Sequence, residues 1–342
     1  MTPAGNPEDL SAHNKAANRT MQWLAAILLF VLVFSFFLGR YPAPGLISPN
    51  EIMGDELAQR LILNLRVPRI LTALLLGATL AAAGAVFQMI FANPLVEPGF
   101  LGVSQGAAFG AAFSILFLSS VAWAVQLSAA IFAILGLLLA YYFARKIRYG
   151  GWILRLILSG IAVSALFSAG LGILKYMADP LSQLQEITFW LLGGLYSITW
   201  KQFLSILPAV VLGLTIAFQM RWRLNLLSLG DETAFSLGAQ PGRERALLLF
   251  AGVIATAAVI SVSGMVSWVG LIVPHIARRL FGADSRYMLP GSMLLGAAFT
   301  ILCDDLARTV TAGEIPLGIL TSIIGATIFL ILMIRQRSGA PA

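Results

Sequence analysis

Apolar residues in this chain come in runs long enough to cross a lipid bilayer, and that limits its fold more than any single motif. Trp23–Leu38, Ile70–Ala92 and Leu289–Leu302 are examples, each set off by short polar breaks. About 20 apolar residues wound as an α-helix traverse a hydrocarbon layer about 30 Å thick. Charged residues make up 11% of the chain and hydrophobic ones 59%, whereas an ordinary soluble domain carries about 25% charged residues. With a mean hydropathy of +0.88, the solvent that matches this sequence is lipid. Its 342 residues count crossings, not soluble domains.

Ten spans follow, at 21–38, 69–91, 101–118, 122–144, 152–174, 203–220, 246–263, 267–280, 289–311 and 317–334. The expected fold class is an all-α polytopic membrane protein of about ten transmembrane helices. Residues 1–20 read as a cytoplasmic N-terminal tail, 21–337 as one transmembrane domain and 338–342 as a C-terminal tail. The first run is followed by Gly39-Arg40-Tyr41-Pro42 with no small-x-small cleavage site, so it reads as a retained helix. With the N-terminus inside and the spans alternating, 15 of the 22 Lys and Arg fall on the cytoplasmic side, and both termini are expected there. The net charge of +7 is therefore juxtamembrane. No basic run interleaves with polar and aromatic residues on a soluble face, so no nucleic-acid partner is expected. Cys303 is the single cysteine, and His13 and His275 lack metal-ligand spacing, so no metal site is expected either.

Two halves echo each other. Gly84 is followed by Pro94 and Gly264 by Pro274, both displaced by 180 residues. If helices 2–5 and 7–10 are copies, the second enters the membrane from the opposite side, which makes an inverted repeat of the kind transporters use.

Several stretches could carry chemistry. Asn93–Gly110 reads NPLVEPGFLGVSQGAAFG, a break with two prolines and a carboxylate before a run of small residues. It reads either as a turn beside a translocation path or as a tight interhelical turn. The loop 221–245 contains a short segment bracketed by Leu229-Gly230 and Leu237-Gly238. Asp231, Glu232 and Thr233 suit the first turn of a helix there, followed by Ala234. Flanked by arginines, it fits either docking into a partner groove or a solvated linker. Glu51–Leu65 looks interfacial, and Arg66-Val67-Pro68-Arg69 opens the second span. Arg66, Arg69 and Arg308 lie on the side the positive-inside rule disfavours. They could meet acidic groups of an external partner, snorkel, or pair within the chain, as Asp304 could with Arg308 at i,i+4. Asp304 and Asp305 are the only acids well inside a span. No GxxxxGK[ST] loop occurs, so any ATP must be hydrolysed by another chain. His275, after Pro274, is expected to hydrogen-bond backbone that the proline exposes, with a proton relay as the alternative.

Together these segments resemble the permease subunits of the ABC importers for ferric siderophores, haem and vitamin B12, the type II importers. The stretches are Arg66–Gln88, Asn93–Gly110, Leu227–Gly238, Gly270–Asp284, Leu289–Ala298 and Glu314–Ala326, in family order. The resemblance implies a non-catalytic permease of ten helices, a homodimer with the pathway on its two-fold axis, two cytoplasmic ATPase subunits and an external substrate-binding protein. No cofactor would be bound by this chain; ATP and Mg would be used by the partner ATPase. Carried over, Arg66, Arg69 and Arg308 would dock the binding protein, and Leu229 through Gly238 would form the coupling helix. The fifth and tenth helices would line the pathway, with Ser159, Gly160, Ser164 and Ser168, or Thr321, Ser322 and Gly325, as candidates. The cargo would be an iron chelate (siderophore or haem) or cobalamin. Same-family import of an oxyanion such as molybdate, an ion-coupled secondary carrier and a membrane scaffold are the alternatives.

Overall fold

The computed structural model describes residues 7–41, 44–311 and 313–337. Helix α1 (Pro7–Phe37) runs unbroken into the first span. The expected tail 1–20 is therefore helical in its described part, and residues 1–6 and 338–342 lie outside the described residues. A two-stranded antiparallel ribbon follows, β1 (Leu38–Gly39) with β2 (Gly45–Leu46), which the all-α expectation did not include.

The interfacial stretch folds as α2 (Pro49–Gly54) and α3 (Glu56–Leu61). Ser48 starts α2 with a capping box, its side chain accepting from the Glu51 amide while Glu51 accepts from the Ser48 amide. Asp55 caps α3 by accepting from Leu57 and Ala58. A π-turn at Ile62–Arg66 leads into α4 (Val67–Ile90), with Pro68 in its first turn, where no N–H is needed.

The remaining helices are α5 (Val103–Phe113), α6 (Ala122–Lys146), α7 (Trp152–Met177), α8 (Gln183–Leu192), α9 (Trp200–Gln219), α10 (Arg221–Leu227), α11 (Asp231–Ser236), α12 (Pro241–Ser263), α13 (Val269–Phe281), α14 (Ser285–Thr309) and α15 (Leu317–Arg337). Among the described residues, eight helical segments are long and apolar enough to cross a membrane. The expected third and eighth spans are the two short ones. Helix α5 continues through a π-turn to Leu118, and α13 has 13 residues, about 20 Å of helix against a core of about 30 Å. The non-helical segment 264–268 precedes α13 and extends that crossing.

Helices α4 and α12 are mostly buried, whereas α1, α7 and α15 leave most of their apolar surface exposed. The most extensive helix pair is α4 on α14. A Cβ at Gly77 would overlap the Gly296 carbonyl, and one at Gly296 would overlap that of Gly77, so the two backbones touch where neither residue has a side chain.

The two halves repeat as elements. Helices α5 and α13 start 166 residues apart, α6 and α14 163, and α7 and α15 165. The first helix of each half packs on the third helix of the other, α4 on α14 and α12 on α6. The spacing of 180 is corrected: Gly84 lies inside α4 while Gly264 follows the end of α12, so that glycine pair is not equivalent. The copies have diverged in loop length, and loop length sets such offsets.

Candidate functional site

On the expected outer face the three candidate arginines meet unequal surroundings. Arg69 donates through Nε to both carboxylate oxygens of Asp304 at 3.0 Å, through Nη2 to Asp304 at 2.9 Å, and through Nη1 to Glu314 at 2.8 Å. Arg308 donates to the carbonyls of Leu38 and Ser35 at 2.7 Å and to Asp305 at 2.5 Å. Ser35 Oγ donates to the same Asp305 oxygen at 2.6 Å. Asp304 and Arg308 come within 3.8 Å, so the i,i+4 pairing is present but loose. Both arginine side chains are about nine-tenths buried. They brace α14 against α4 and α1. Arg66 is only half-buried and donates to a carbonyl, that of Phe36, at 3.0 Å.

On the expected inner face, α11 is a single exposed turn and a half. Asp231, Glu232 and Thr233 occupy its exposed first turn, between Gly230 and Gly238. Leu229, Phe235 and Leu237 are large apolar side chains left more than half exposed, and Ala234 alone is buried beneath them. The helix is fastened to the start of α12: Arg245, itself buried, donates to Asp231 at 2.5 Å and to the Leu227 carbonyl at 3.0 Å. Behind it, Asp284 caps α14, and its carboxylate lies below the usual range because donors from Arg286 and Asn225 outweigh its partial burial.

The candidate pathway residues divide. Ser159 and Gly160 are buried, Gly160 against Phe100 and Leu101, and Ser164 sits beside the Phe100 carbonyl. Thr321 is buried, Gly325 packs on Trp268, and Ser322 donates to the Gly318 carbonyl. Within one subunit Ser159, Gly160 and Ser164 lie on the α7 side that packs toward α5 and the turn before it, and Thr321 and Gly325 lie on the packed side of α15. Ser168 alone among the seven is exposed. His275 is corrected too: its Nε2 is buried with no partner among the described residues, so the expected backbone bond is not made.

Sequence reading missed α8. It sits between α7 and α9, and its C-terminal end ties to the break before α13 through the Gly194 amide donating to the Ser263 carbonyl. Glu186 on α8 borders a cavity of about 420 Å³ that it shares with Arg69, Phe189, Tyr196 and Glu314. Partial burial raises the pKa of Glu186. The two breaks also meet each other. The Glu97 carboxylate lies on the Trp268 amide, and Gln88 donates to the Leu271 carbonyl at 3.1 Å. Only the alternation of small residues and prolines in 93–110 signalled that junction.

The model of the FecCD transport family matches residues 27–335. The chain belongs to the FecCD transport family. Among members, the "Molybdate import system permease protein MolB" of Haemophilus influenzae is 38% identical, over 92% of this chain and 95% of that one. The "Probable iron chelatin transport system permease protein" of Helicobacter pylori is 40% identical, over 92% of this chain and 97% of that one. A solved ABC transporter of the metal-chelate type, in an inward-facing conformation, superposes with a TM-score of 0.86 at 38% identity, covering 93% of this chain and 99% of that one. As a FecCD protein the chain is a multi-pass permease of an ABC importer, of a family that works with ATPase subunits and substrate-binding proteins.

Proposed function

We propose that this permease carries an iron chelate, a siderophore complex or haem, or the related chelate cobalamin, across the cytoplasmic membrane as a homodimer with two ATP-binding subunits. The observation that carries the partnership is α11, a short exposed helix offering Leu229, Phe235 and Leu237 and held to α12 by Arg245. Three uncovered apolar side chains on the inner face fit a groove in a partner better than they fit water. Since the chain has no phosphate-binding loop, ATP and Mg belong to that partner, and this subunit makes and breaks no bonds and holds no cofactor. Both termini lie on the cytoplasmic side in this reading. Closure of the ATPases on ATP would push α11, and the Arg245 bond would pass that displacement to α12 and the break that follows it.

The iron-chelate reading rests on the Helicobacter pylori relative, and the Haemophilus influenzae relative favours a molybdate-like oxyanion as the second reading. The compound retained by the purified cognate binding protein separates them. A ferric chelate, haem or cobalamin is expected; a retained oxyanion would overturn the first reading. Uptake by vesicles containing this chain alone, driven by an ion gradient, would overturn both.

A further inference from the structure

The non-helical segment that follows α12 is wedged against α15. Residues 264–268 separate α12 from α13, and along them the chain meets two glycines of α15, Gly318 and Gly325, two turns apart on one face. A Cβ on Gly318 would lie 2.6 Å from the Met265 carbonyl oxygen, and one on Gly325 would lie 2.6 Å from the Trp268 Cβ. The Trp268 indole continues along the helix and meets Phe329 edge-on, 6.0 Å between ring centres. Trp268 holds that seat in a conformation its own side chain resists. Its φ of 73° is in the left-handed region, where a Cβ crowds the backbone and glycine is the usual occupant. Among the described residues one other non-glycine residue shares that region, Ala92, at the start of the other break. Trp268 also opens α13, its carbonyl accepting from the Leu271 and Ile272 amides at 3.2 and 2.9 Å. Beyond it, Gln88 of α4 donates to the Leu271 carbonyl and fixes α13 in place. A strained residue persists only where its surroundings over-determine it, and such residues cluster at parts that switch. Here α13 fixes the carbonyl while α15 fixes the ring.

We propose that Trp268 is the positioning residue that passes a movement of α12 into α15. The assignment rests on the importer reading, in which closure of the ATPases reaches α12 through α11 and Arg245. A displaced α12 pulls on the five residues after it. Trp268 then leaves the left-handed region, its ring leaves Gly325, and α15 is released to shift. Strain is stored while the indole is seated and given up when it moves, so the residue has two positions and few between them.

The test uses the complete transporter with its ATPase subunits in nanodiscs. It follows amide hydrogen exchange at 231–245 and at 317–325, with and without a non-hydrolysable ATP analogue, and takes ATPase rate and thermal melting as controls. In the wild type the analogue should change exchange at least threefold in both segments. Trp268→Gly adopts the same backbone without strain and removes the wedge. It should keep the response at 231–245 and lose the one at 317–325, with ATP hydrolysis within twofold of wild type. Trp268→Phe retains a Cβ and a ring and should keep both responses. Gly325→Ala pushes Trp268 away from the other side and should behave like Trp268→Gly; any fall in its melting temperature should be recovered by adding Trp268→Gly, which makes room for the methyl group. A wild-type response at 317–325 in Trp268→Gly overturns the assignment, as does loss of both responses together or a Trp268→Phe transporter that behaves like Trp268→Gly. If the analogue leaves 231–245 unchanged in the wild type, it is the importer reading of α11 that fails.

Discussion

Asp304 shows how much one side chain can hold. It is buried, it accepts three bonds from Arg69, and it borders Arg308. Asp304→Asn strips Arg69 of its buried partner and leaves it only the partly exposed Glu314, and breaking a buried pair from one side costs about 3–5 kcal/mol. The melting temperature in detergent should fall sharply. Adding Arg69→Met should recover part of the loss, since the buried guanidinium leaves with its partner and only the partly exposed Glu314 loses a bond. A wild-type melting curve for Asp304→Asn would show the network to be ornamental. Asp55 gives a pH-dependent counterpart at the exposed start of α3. The Tyr41 hydroxyl, then the Ala58 and Leu57 amides, hold its carboxylate below the usual range. A depressed folded pKa stabilises above the unfolded value of about 3.9 and is lost as pH falls through the folded value. Amide exchange at Leu57 and Ala58 should therefore be protected at neutral pH and lose protection in acid below about pH 4. Asp55→Asn should remove that pH dependence. At this scale the sequence was partly readable: Asp304 and Arg308 are helical neighbours, whereas the Ser35–Asp305 bond joins residues 270 positions apart. Nothing in local spacing encodes that contact.

Elements were more legible than contacts. Each long apolar run became a helix, because lipid leaves the backbone no other partner. The short inner helix was also foreseen from Asp231, Glu232 and the flanking glycines. What escaped were elements whose reason is tertiary: α8, whose end is fixed by a bond to Ser263, and the β-ribbon, too short to leave a periodic pattern. For α11 the structure also chooses the better experiment. Proline at Ala234 would remove the bond from its amide to the Gly230 carbonyl and disturb a buried position, mixing local unfolding with lost docking. Phe235 is exposed, so Phe235→Asp leaves the helix intact and puts a charge where a groove should close on an aromatic ring. Co-purification of the ATPase subunits should drop at least tenfold, and transport with it. Unchanged ATPase binding would make α11 a linker.

At the scale of the whole molecule, the uneven burial of the helices marks where the proposed second copy would sit. Helix α7 has one face packed on α5 and α6 and another left open, where Ile161, Leu166, Ser168 and Ile173 are exposed. Lipid can cover such a face, but lipid cannot hold a polar pathway, so a pathway along it requires another protein wall. The chain supplies a clean background for deciding between them, because its one cysteine, Cys303, is buried and free. Ser168→Cys on the open face should form a disulfide between two copies under mild oxidation in native membranes, read as a doubled mass on a non-reducing gel. Ser159→Cys, buried within the subunit, should not. Crosslinking should also respond to trapping the ATPases closed on a non-hydrolysable nucleotide, since a pathway that alternates its access must change the distance between its walls. If Ser168→Cys stays monomeric in both states while the complex still transports, the two-fold axis does not run along α7, and the open face belongs to lipid.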